Sequence, residues 1–303
     1  MMETVAVELQ EAKSLSARER ISAYVELTKP RIAFMLVLTS AAGFYLGNIG
    51  TFNWILFANA MIGIALLAFG VATLNQWIER RTDALMDRTA KRPLPSGKLT
   101  ANEAFIFGVL QTLVAQVYLF FLVNPLTAAL GVVVIIGYVF LYTPLKTKTS
   151  VSTAIGAIPG AMPPLMGWTS SANEITSGAW ALSAVLFLWQ LPHFPAIAGM
   201  YRDQYAKAGI LMLPVVESSG RMTARQIVLF TIMLVPVSVA PFFIGFAGVI
   251  FLIGAIVLGI WFLFESIAAA RAKTVERNRR LLLTSVIYLP LYFLLLSLDH
   301  YKG

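Results

Sequence analysis

The amino-acid sequence predicts an all-α integral membrane protein with nine transmembrane helices. Of its 303 residues, 58% are hydrophobic and only 13% are charged, whereas soluble globular proteins contain about 25% charged residues. The apolar residues lie in long runs without any charge, and a helix that spans a bilayer needs about 20 such residues. Most lysine and arginine residues fall on one side of the resulting topology, which is the positive-inside bias of membrane proteins.

Six runs without charged residues supply the nine predicted helices. They cover residues 32–78, 104–145, 149–173, 175–201, 226–264 and 281–298. The first, second and fifth runs are each long enough for two spans, and each contains glycine, asparagine or proline, residue types that interrupt helices at little cost. These interruptions are at residues 47–50, 124–125 and 245–248. The other three runs supply one span each, so the chain crosses the bilayer an odd number of times.

The distribution of charge predicts the orientation of the chain. If the N-terminus is cytoplasmic, Lys302 is the only one of the 23 lysine and arginine residues that lies outside. Residues 1–28 then form a polar cytoplasmic segment, residues 29–303 form one transmembrane domain, and the C-terminus is external. The net charge of +8 therefore indicates a lipid bilayer, and not nucleic acid, as the partner.

Two further features of composition limit the possibilities. The chain has no cysteine, which excludes disulfide bonds and thiolate metal sites. Its first 20 residues contain Glu3, Glu8, Glu11 and Glu19 and no apolar segment, which is typical of neither a secretory signal nor an acid-poor transit peptide. This favours a bacterial plasma (inner) membrane over an organelle.

Two cytoplasmic connections, residues 79–103 and 202–225, are much longer than the others. Each follows an even-numbered span, and the two are four spans apart. This predicts two four-helix halves plus a ninth helix, with the long loops facing each other over a central cavity that opens to the cytoplasmic side. The same symmetry is equally typical of a transporter, so the polar residues at the loops must decide the chemistry.

Oxygen-bearing side chains recur at every fourth residue after the second predicted span: Asn75, Glu79, Asp83 and Asp87. On a helix each is rotated by only about 40° from the last, so they form one line. Mg²⁺ is usually held by one or two carboxylates together with substrate phosphates, and this line is suited to a metal-bound diphosphate. The alternative is a solvated loop with weak ion pairs between neighbouring turns. Polar groups at the end of an apolar span favour the functional interpretation.

Residues 75–97 resemble the first aspartate-rich motif of the UbiA superfamily of prenyltransferases. That motif has Asn-x₃-Asp/Glu-x₃-Asp followed by Arg-Thr-x-x-Arg-Pro, and this chain has Asn75, Glu79 and Asp83 followed by Arg-Thr-x-x-Arg-Pro from Arg88. The resemblance implies a UbiA-like helix bundle in which the three donors bind prenyl diphosphate through Mg²⁺. Asp87 lies outside the motif. The resemblance also implies that cations of the trailing segment bind the substrate, namely Arg88, Lys91 and Arg92.

Residues 189–216 are similar to the signature of the heme-modifying farnesyltransferase branch of this superfamily. The signature is Trp-Gln-x-Pro-His-Phe, then an acid-Tyr-x-x-Ala-Gly block that ends in Met-Leu-Pro-Val-Val. Other UbiA enzymes carry a second Asp-x₃-Asp here, whereas this chain has Asp203 and then Lys207. It also departs from the branch, because Gln204 replaces the acid before the tyrosine and Leu211 replaces a proline. The resemblance implies that Asp203 helps to hold the metal, and that Arg202 and Tyr205 bind substrate.

Two further polar residues are candidates for substrate contact. His193 lies inside the predicted bundle, where it is either a hydrogen-bonded packing residue or a contact for a heme acceptor, since imidazole is a common iron ligand. Lys146, with Tyr142, belongs to a segment similar to the family's Tyr-Thr-x-x-Leu-Lys loop. Its ammonium group is suited to bind diphosphate or heme propionates, or simply to anchor the chain at the membrane surface.

The resemblance implies transfer of a farnesyl group from farnesyl diphosphate to a vinyl group of protoheme IX (heme b). The product would be heme O, used in terminal oxidase assembly, with residues 29–303 as the prenyltransferase domain and a heme A synthase or terminal oxidase as a candidate assembly partner. Two alternatives stay open: a UbiA enzyme acting on a quinone or other aromatic acceptor, and a non-enzymatic transporter. The expected metal-binding and catalytic residues are Asn75, Glu79, Asp83 and Asp203. The expected substrate-binding residues are Arg88, Lys91, Arg92, Tyr142, Lys146, His193, Arg202 and Tyr205.

Overall fold

The structure is a computed structural model that describes residues 15–301. Within this part of the chain helices are the regular secondary structure, apart from an isolated bridge between Ala247 and His300. The prediction of an all-α protein is therefore confirmed. Residues 1–14 of the predicted N-terminal segment, and Lys302, lie outside the described residues.

The first half of the chain contains a short helix and then the helices of four predicted spans. Their bounds are α1 Ala17–Leu27, α2 Pro30–Gly47, α3 Trp54–Asp83, α4 Ala101–Leu122, α5 Pro125–Ile135 and, after a π-helix over Ile136–Tyr142, α6 Thr143–Leu145. The predicted interruptions at residues 47–50, 124–125 and 245–248 all lie where one helix ends and the next begins. In the first half, asparagine side chains at or near these breaks accept hydrogen bonds from unpaired amides of the next helix. Asn53 caps α3 through the Leu56 amide at 3.0 Å, and Asn124 caps α5 through the Thr127 amide at 2.8 Å.

The second half contains two short helices in the long loop and five more long helices or helix pairs. Their bounds are α7 Ser152–Gly160, α8 Met162–Ala172, α9 Ser177–Met200, α10 Arg202–Lys207, α11 Leu213–Val216, α12 Arg221–Ser238, α13 Ala240–Phe243, α14 Val249–Ala272 and α15 Val275–Leu298. Among residues 15–301, eight helical segments are long and apolar enough to cross a membrane. The chain is therefore a multi-pass membrane protein.

The predicted span over residues 149–173 consists of two short helices instead of one. α7 and α8 meet at Ala161, where Pro159 precedes the junction and Pro163 and Pro164 follow it. Proline lacks an amide proton and its ring obstructs the preceding turn, so a continuous helix is interrupted at this point. Neither helix is long enough to span a bilayer alone, and the count of nine spans stays a prediction.

Close packing of α8 against α2 depends on small residues. A Cβ atom at Gly43 would collide with the carbonyl oxygen of Pro164, and one at Gly167 would collide with that of Ser40. In lipid, helices associate through such close backbone contact because burial of apolar surface gives no extra driving force. These contacts hold the second half of α2 against α8 with the two backbones in direct contact.

Candidate functional site

A cavity of about 170 Å³ lies where α2 begins and where α3, the π-helix and α9 end. Eight of the twelve predicted site residues line it, together with residues that the sequence did not single out. The predicted residues that line it are Asn75, Glu79, Asp83, Arg88, Arg92, Tyr142, Lys146 and Tyr205. The additional lining residues are Lys29, Met86, Tyr138, Phe194, Ile197, Ile210 and Met212.

The three oxygen donors of the predicted metal site share one face of α3. This helix continues to Asp83, so Asn75, Glu79 and Asp83 follow one another at successive turns and all line the cavity. Asn75 and Asp83 are each only 1% exposed. The prediction that they form a line on one helix face is confirmed, and Asp87 lies beyond the end of the helix, on the surface.

Each of these three side chains accepts a hydrogen bond from a cationic side chain of another segment. The Lys29 ammonium group donates to Asn75 Oδ1 at 2.6 Å, and the Lys146 ammonium group donates to Glu79 Oε1 at 2.6 Å. Arg92 Nη1 donates to Asp83 Oδ2 at 2.6 Å. Glu79 therefore pairs across the cavity, and not with an arginine of its own helix. Three cations and two carboxylates in one partly dehydrated space leave an excess of positive charge that suits an anionic ligand.

The pKa values of Lys29 and Lys146 shift in opposite directions in this environment. Burial and the nearby Arg92 guanidinium lower the pKa of Lys29 to about 7, although Glu79 opposes them. Burial alone would lower the pKa of Lys146 as well, but the adjacent Glu79 carboxylate raises it well above its usual value. Lys146 is therefore fully charged at neutral pH. An anion in the cavity would favour the charged form of Lys29 and so raise its pKa.

The π-helix forms the aromatic wall of the cavity. Its wider turns place the rings of Tyr138 and Tyr142 5.0 Å apart, and the Lys146 ammonium group lies 4.4 Å from the centre of the Tyr142 ring. Thr143 ties this wall to α3, because its hydroxyl group accepts a bond from Asn75 Nδ2 at 3.1 Å and donates to the Tyr138 carbonyl at 2.8 Å. Single-turn π-helices are frequent at functional sites. Tyr138 was missed from the sequence because hydropathy does not distinguish a π-helix from an α-helix.

The two long loops meet above the cavity, as predicted. The Arg88 guanidinium lies 4.8 Å from the ring centre of Tyr201 and donates to the Tyr205 hydroxyl group at 3.1 Å. The Arg88 amide also donates to Gln204 Oε1 at 3.3 Å. A backbone bond of 2.7 Å from the Leu211 amide to the Lys146 carbonyl joins the second long loop to the π-helix region. These contacts close the cavity on the side of the loops.

Four predicted site residues do not line the cavity. Lys91, Arg202 and Asp203 are exposed on the two long loops, so their roles in binding substrate or metal stay predictions. His193 lies on α9 beside α15, where its ring bonds Ser285. No group of three His, Asp or Glu residues converges to form a metal site by itself within residues 15–301. Two carboxylates and an amide oxygen nevertheless match the protein share of a Mg²⁺ site that substrate phosphates complete.

Comparison with known proteins identifies the family. The family model described as the UbiA prenyltransferase family matches residues 36–294 of this chain. This chain belongs to the UbiA prenyltransferase family. Two UbiA relatives are each called protoheme IX farnesyltransferase. The one from Solibacter usitatus (strain Ellin6076) is 47% identical over 91% of this chain and 98% of its own length. The one from Koribacter versatilis (strain Ellin345) is 42% identical, over 91% and 92% respectively.

Solved structures of UbiA proteins have the same fold. A structure described as digeranylgeranylglyceryl phosphate synthase superimposes with a TM-score of 0.78 at 16% identity, covering 93% of this chain and 98% of the other. A UbiA homologue from Archaeoglobus fulgidus, bound to GPP and Mg²⁺, superimposes with a TM-score of 0.69 at 16% identity, covering 91% and 99%. The expectation of a UbiA-like bundle is therefore confirmed.

Proposed function

We propose that this protein transfers the farnesyl group of farnesyl diphosphate to a vinyl group of protoheme IX (heme b), giving heme O for terminal oxidase assembly. The assignment of the acceptor rests on relatives with 38–47% identity, all called protoheme IX farnesyltransferase. The assignment of the reaction rests on one observation of the site: three oxygen donors on one helix face, each matched by a cation, line a cavity in a UbiA prenyltransferase fold.

The diphosphate would bind where the donors and the cations meet. Mg²⁺ held by Asn75, Glu79 and Asp83 would supply positive charge that makes the diphosphate a better leaving group. The three paired cations would turn from these donors to the phosphate oxygens. Charge-assisted bonds of this kind stabilise the charge that develops on the departing group. Arg88 and Tyr205 would hold the two loops closed over it.

The carbon chemistry requires a dry, aromatic environment. The C1–O bond of farnesyl diphosphate breaks with its electron pair leaving on the diphosphate, and the vinyl π electrons form the new bond to C1. Water then adds to the resulting cation on the acceptor and loses a proton, which gives a hydroxyethylfarnesyl group. Tyr138, Tyr142, Phe194 and Ile197 line the cavity and would exclude water from C1 until the new bond has formed.

Several finer assignments form part of the same proposal. Asp203 would serve as a further metal ligand, and Lys91 and Arg202 would contact substrate, if α10 and the loop over residues 84–100 move inward on binding. The protein would reside in a bacterial inner membrane with its N-terminus and the cavity facing the cytoplasm. A heme A synthase or a terminal oxidase would be its partner in assembly.

One experiment separates the three candidate functions. Purified protein is incubated with Mg²⁺, labelled farnesyl diphosphate and either heme b or an aromatic acid acceptor, and the products are resolved by mass. We expect prenylated heme and no prenylated aromatic acid. Prenylation of the aromatic acid alone would favour the quinone branch. If neither product forms, but liposomes containing the protein take up an amphipathic anion, the transporter alternative is favoured.

A further inference from the structure

His193 lies outside the cavity, in the seam between α9 and α15, and it is only partly buried there. Its neighbour Phe194, whose ring centre lies 5.5 Å from that of His193, lines the cavity. We propose that His193 Nε2 is the axial ligand for the iron of the porphyrin acceptor, and that Ser285 is the residue that positions it. This inference rests on the proposed function, and it places the iron of the acceptor beside the cavity, with one vinyl group reaching into it.

The hydrogen bonds of Ser285 determine which ring nitrogen of His193 carries the proton. His193 Nδ1 lies 2.8 Å from Ser285 Oγ, and that hydroxyl group donates to the Leu282 carbonyl at 2.7 Å. A serine hydroxyl group has one proton to donate, so the bond to His193 requires Nδ1 to be the donor. Nε2 then carries the lone pair. This is the arrangement of metal-binding histidines, whose second nitrogen is bound to an oxygen acceptor that fixes the tautomer.

A second contact fixes the orientation of the ring. Trp189, one turn earlier on α9, stacks on His193 with ring centres 4.5 Å apart and an angle of 23° between the planes. The Trp189 indole nitrogen donates to the Ser285 carbonyl at 2.8 Å. Both aromatic rings are therefore bound to the same residue of α15. Within residues 15–301, no protein group bonds Nε2, so this atom is available to a ligand.

The surroundings of the seam suit an amphipathic ring system. His193 is seven residues before the end of α9, so it lies about 10 Å inside that helix end. At the end itself Gly199 packs against Asn278, and exposed arginines follow on α15 at positions 279 and 280. A porphyrin bound through its iron at His193 would have one vinyl-bearing edge beside Phe194 at the cavity wall and the rest of its apolar surface in the bilayer. Its two carboxylate groups would point towards these cations.

The test is spectroscopic and uses the full chain in detergent micelles. Ferric protoporphyrin IX is titrated into the wild-type protein, and then reduced. The absorption spectrum is followed, and resonance Raman scattering is used to detect the iron–histidine stretching vibration. We expect that vibration in the wild-type protein. Its absence would overturn the proposal without reference to any variant.

Variants then assign the ligand and its positioning residue. His193→Gly should lose the histidine-ligated spectrum and bind ferric protoporphyrin at least tenfold more weakly, and added imidazole should restore the spectrum. Ser285→Ala should weaken binding by about tenfold, as loss of a bond to a metal-binding histidine does, and should shift the iron–histidine vibration. Ser285→Thr should restore both. Ser266→Ala is the matched control, because Ser266 is also buried but bonds Thr231 between α12 and α14.

Two outcomes distinguish this inference from the proposed function. If His193→Gly binds the ferric porphyrin with the wild-type spectrum while the wild-type protein still makes prenylated heme, the iron-ligand inference is wrong and the function stands. If the wild-type protein neither binds the porphyrin nor prenylates it, the proposed function itself is wrong. Metal-free protoporphyrin IX supplies a further check. It should bind equally to wild-type protein and to His193→Gly, and a difference would indicate a packing role for His193.

Discussion

The ion pair between Lys146 and Glu79 allows stability and function to be separated in one experiment. The ammonium and carboxylate groups are 2.6 Å apart, and their side chains are only 17% and 12% exposed. Lys146→Met keeps most of the volume of the side chain but leaves Glu79 buried without its nearest cation. Breaking a buried pair in this way typically costs about 3–5 kcal/mol. Because Lys29 and Arg92 also act on Glu79, we expect a loss at the lower end, about 3 kcal/mol.

The double variant with Lys146→Met and Glu79→Gln removes both charges. Replacing a whole buried ion pair by neutral groups is often nearly neutral for stability, so the double variant should unfold within about 1 kcal/mol of the wild-type protein. Neither variant should transfer a farnesyl group, since the proposed function assigns Lys146 to the diphosphate and Glu79 to its metal. Stability would return in the double variant, whereas activity would not.

The assay compares the free energy of unfolding, from denaturant titration in micelles, with turnover of farnesyl diphosphate. Arg280→Met is the matched control for stability alone, because its pair with Glu276 is 3.0 Å long but its side chains are 55% and 74% exposed, and surface pairs contribute less than about 1 kcal/mol. If the double variant is no more stable than Lys146→Met, then Lys146 and Glu79 do not form a buried ion pair. A double variant with wild-type turnover would refute its role in catalysis.

Three other predictions follow from the site and the helix packing. Asp83→Asn should lower the rate of farnesyl transfer by at least about 100-fold, which is typical for the loss of an electrostatic contribution in a closed site. The circular dichroism spectrum should stay unchanged, and near-normal turnover would contradict the metal assignment. In calorimetric titrations, Mg²⁺ and pyrophosphate should each bind at least about tenfold more tightly in the presence of the other. The reason is that the protein's own cations must leave Asn75, Glu79 and Asp83 before Mg²⁺ can bind there, and pyrophosphate gives those cations a new partner. Independent binding would contradict this exchange. Gly43→Ala should lower the free energy of unfolding by about 1–3 kcal/mol in the same denaturant titration. The added methyl group meets the Pro164 backbone, which no side-chain rotation can move away. An unchanged free energy of unfolding would contradict the close packing of α2 and α8.

The helical membrane architecture was predictable because its causes are local. Hydropathy determines which segments lie in lipid, and residues such as Asn53 and Asn124 cap the helices where the sequence breaks its apolar runs. The four-residue spacing of Asn75, Glu79 and Asp83 determines that they share a face, because a helix turns about 100° per residue. These predictions required no knowledge of how the helices pack.

The unpredicted parts of the site depend on contacts between distant segments. Lys29 is not among the predicted site residues, yet it binds Asn75, 46 residues away in the chain. Tyr138 enters the cavity because Ile136–Tyr142 forms a π-helix, and the small hydrogen-bonding difference between helix types leaves no periodic signal in a short apolar segment. The interruption of the predicted span at Ala161 was likewise missed, although the prolines around it were visible.

The sequence alone therefore determined that this chain is an α-helical membrane protein with a line of oxygen-bearing side chains at the end of one helix, since helix periodicity and transfer to lipid act residue by residue. The tertiary structure decided which cation meets which donor, and that His193 faces Ser285 outside the cavity. Such pairings arise from the packing of helices that are far apart in the chain, and nothing in the local sequence specifies them.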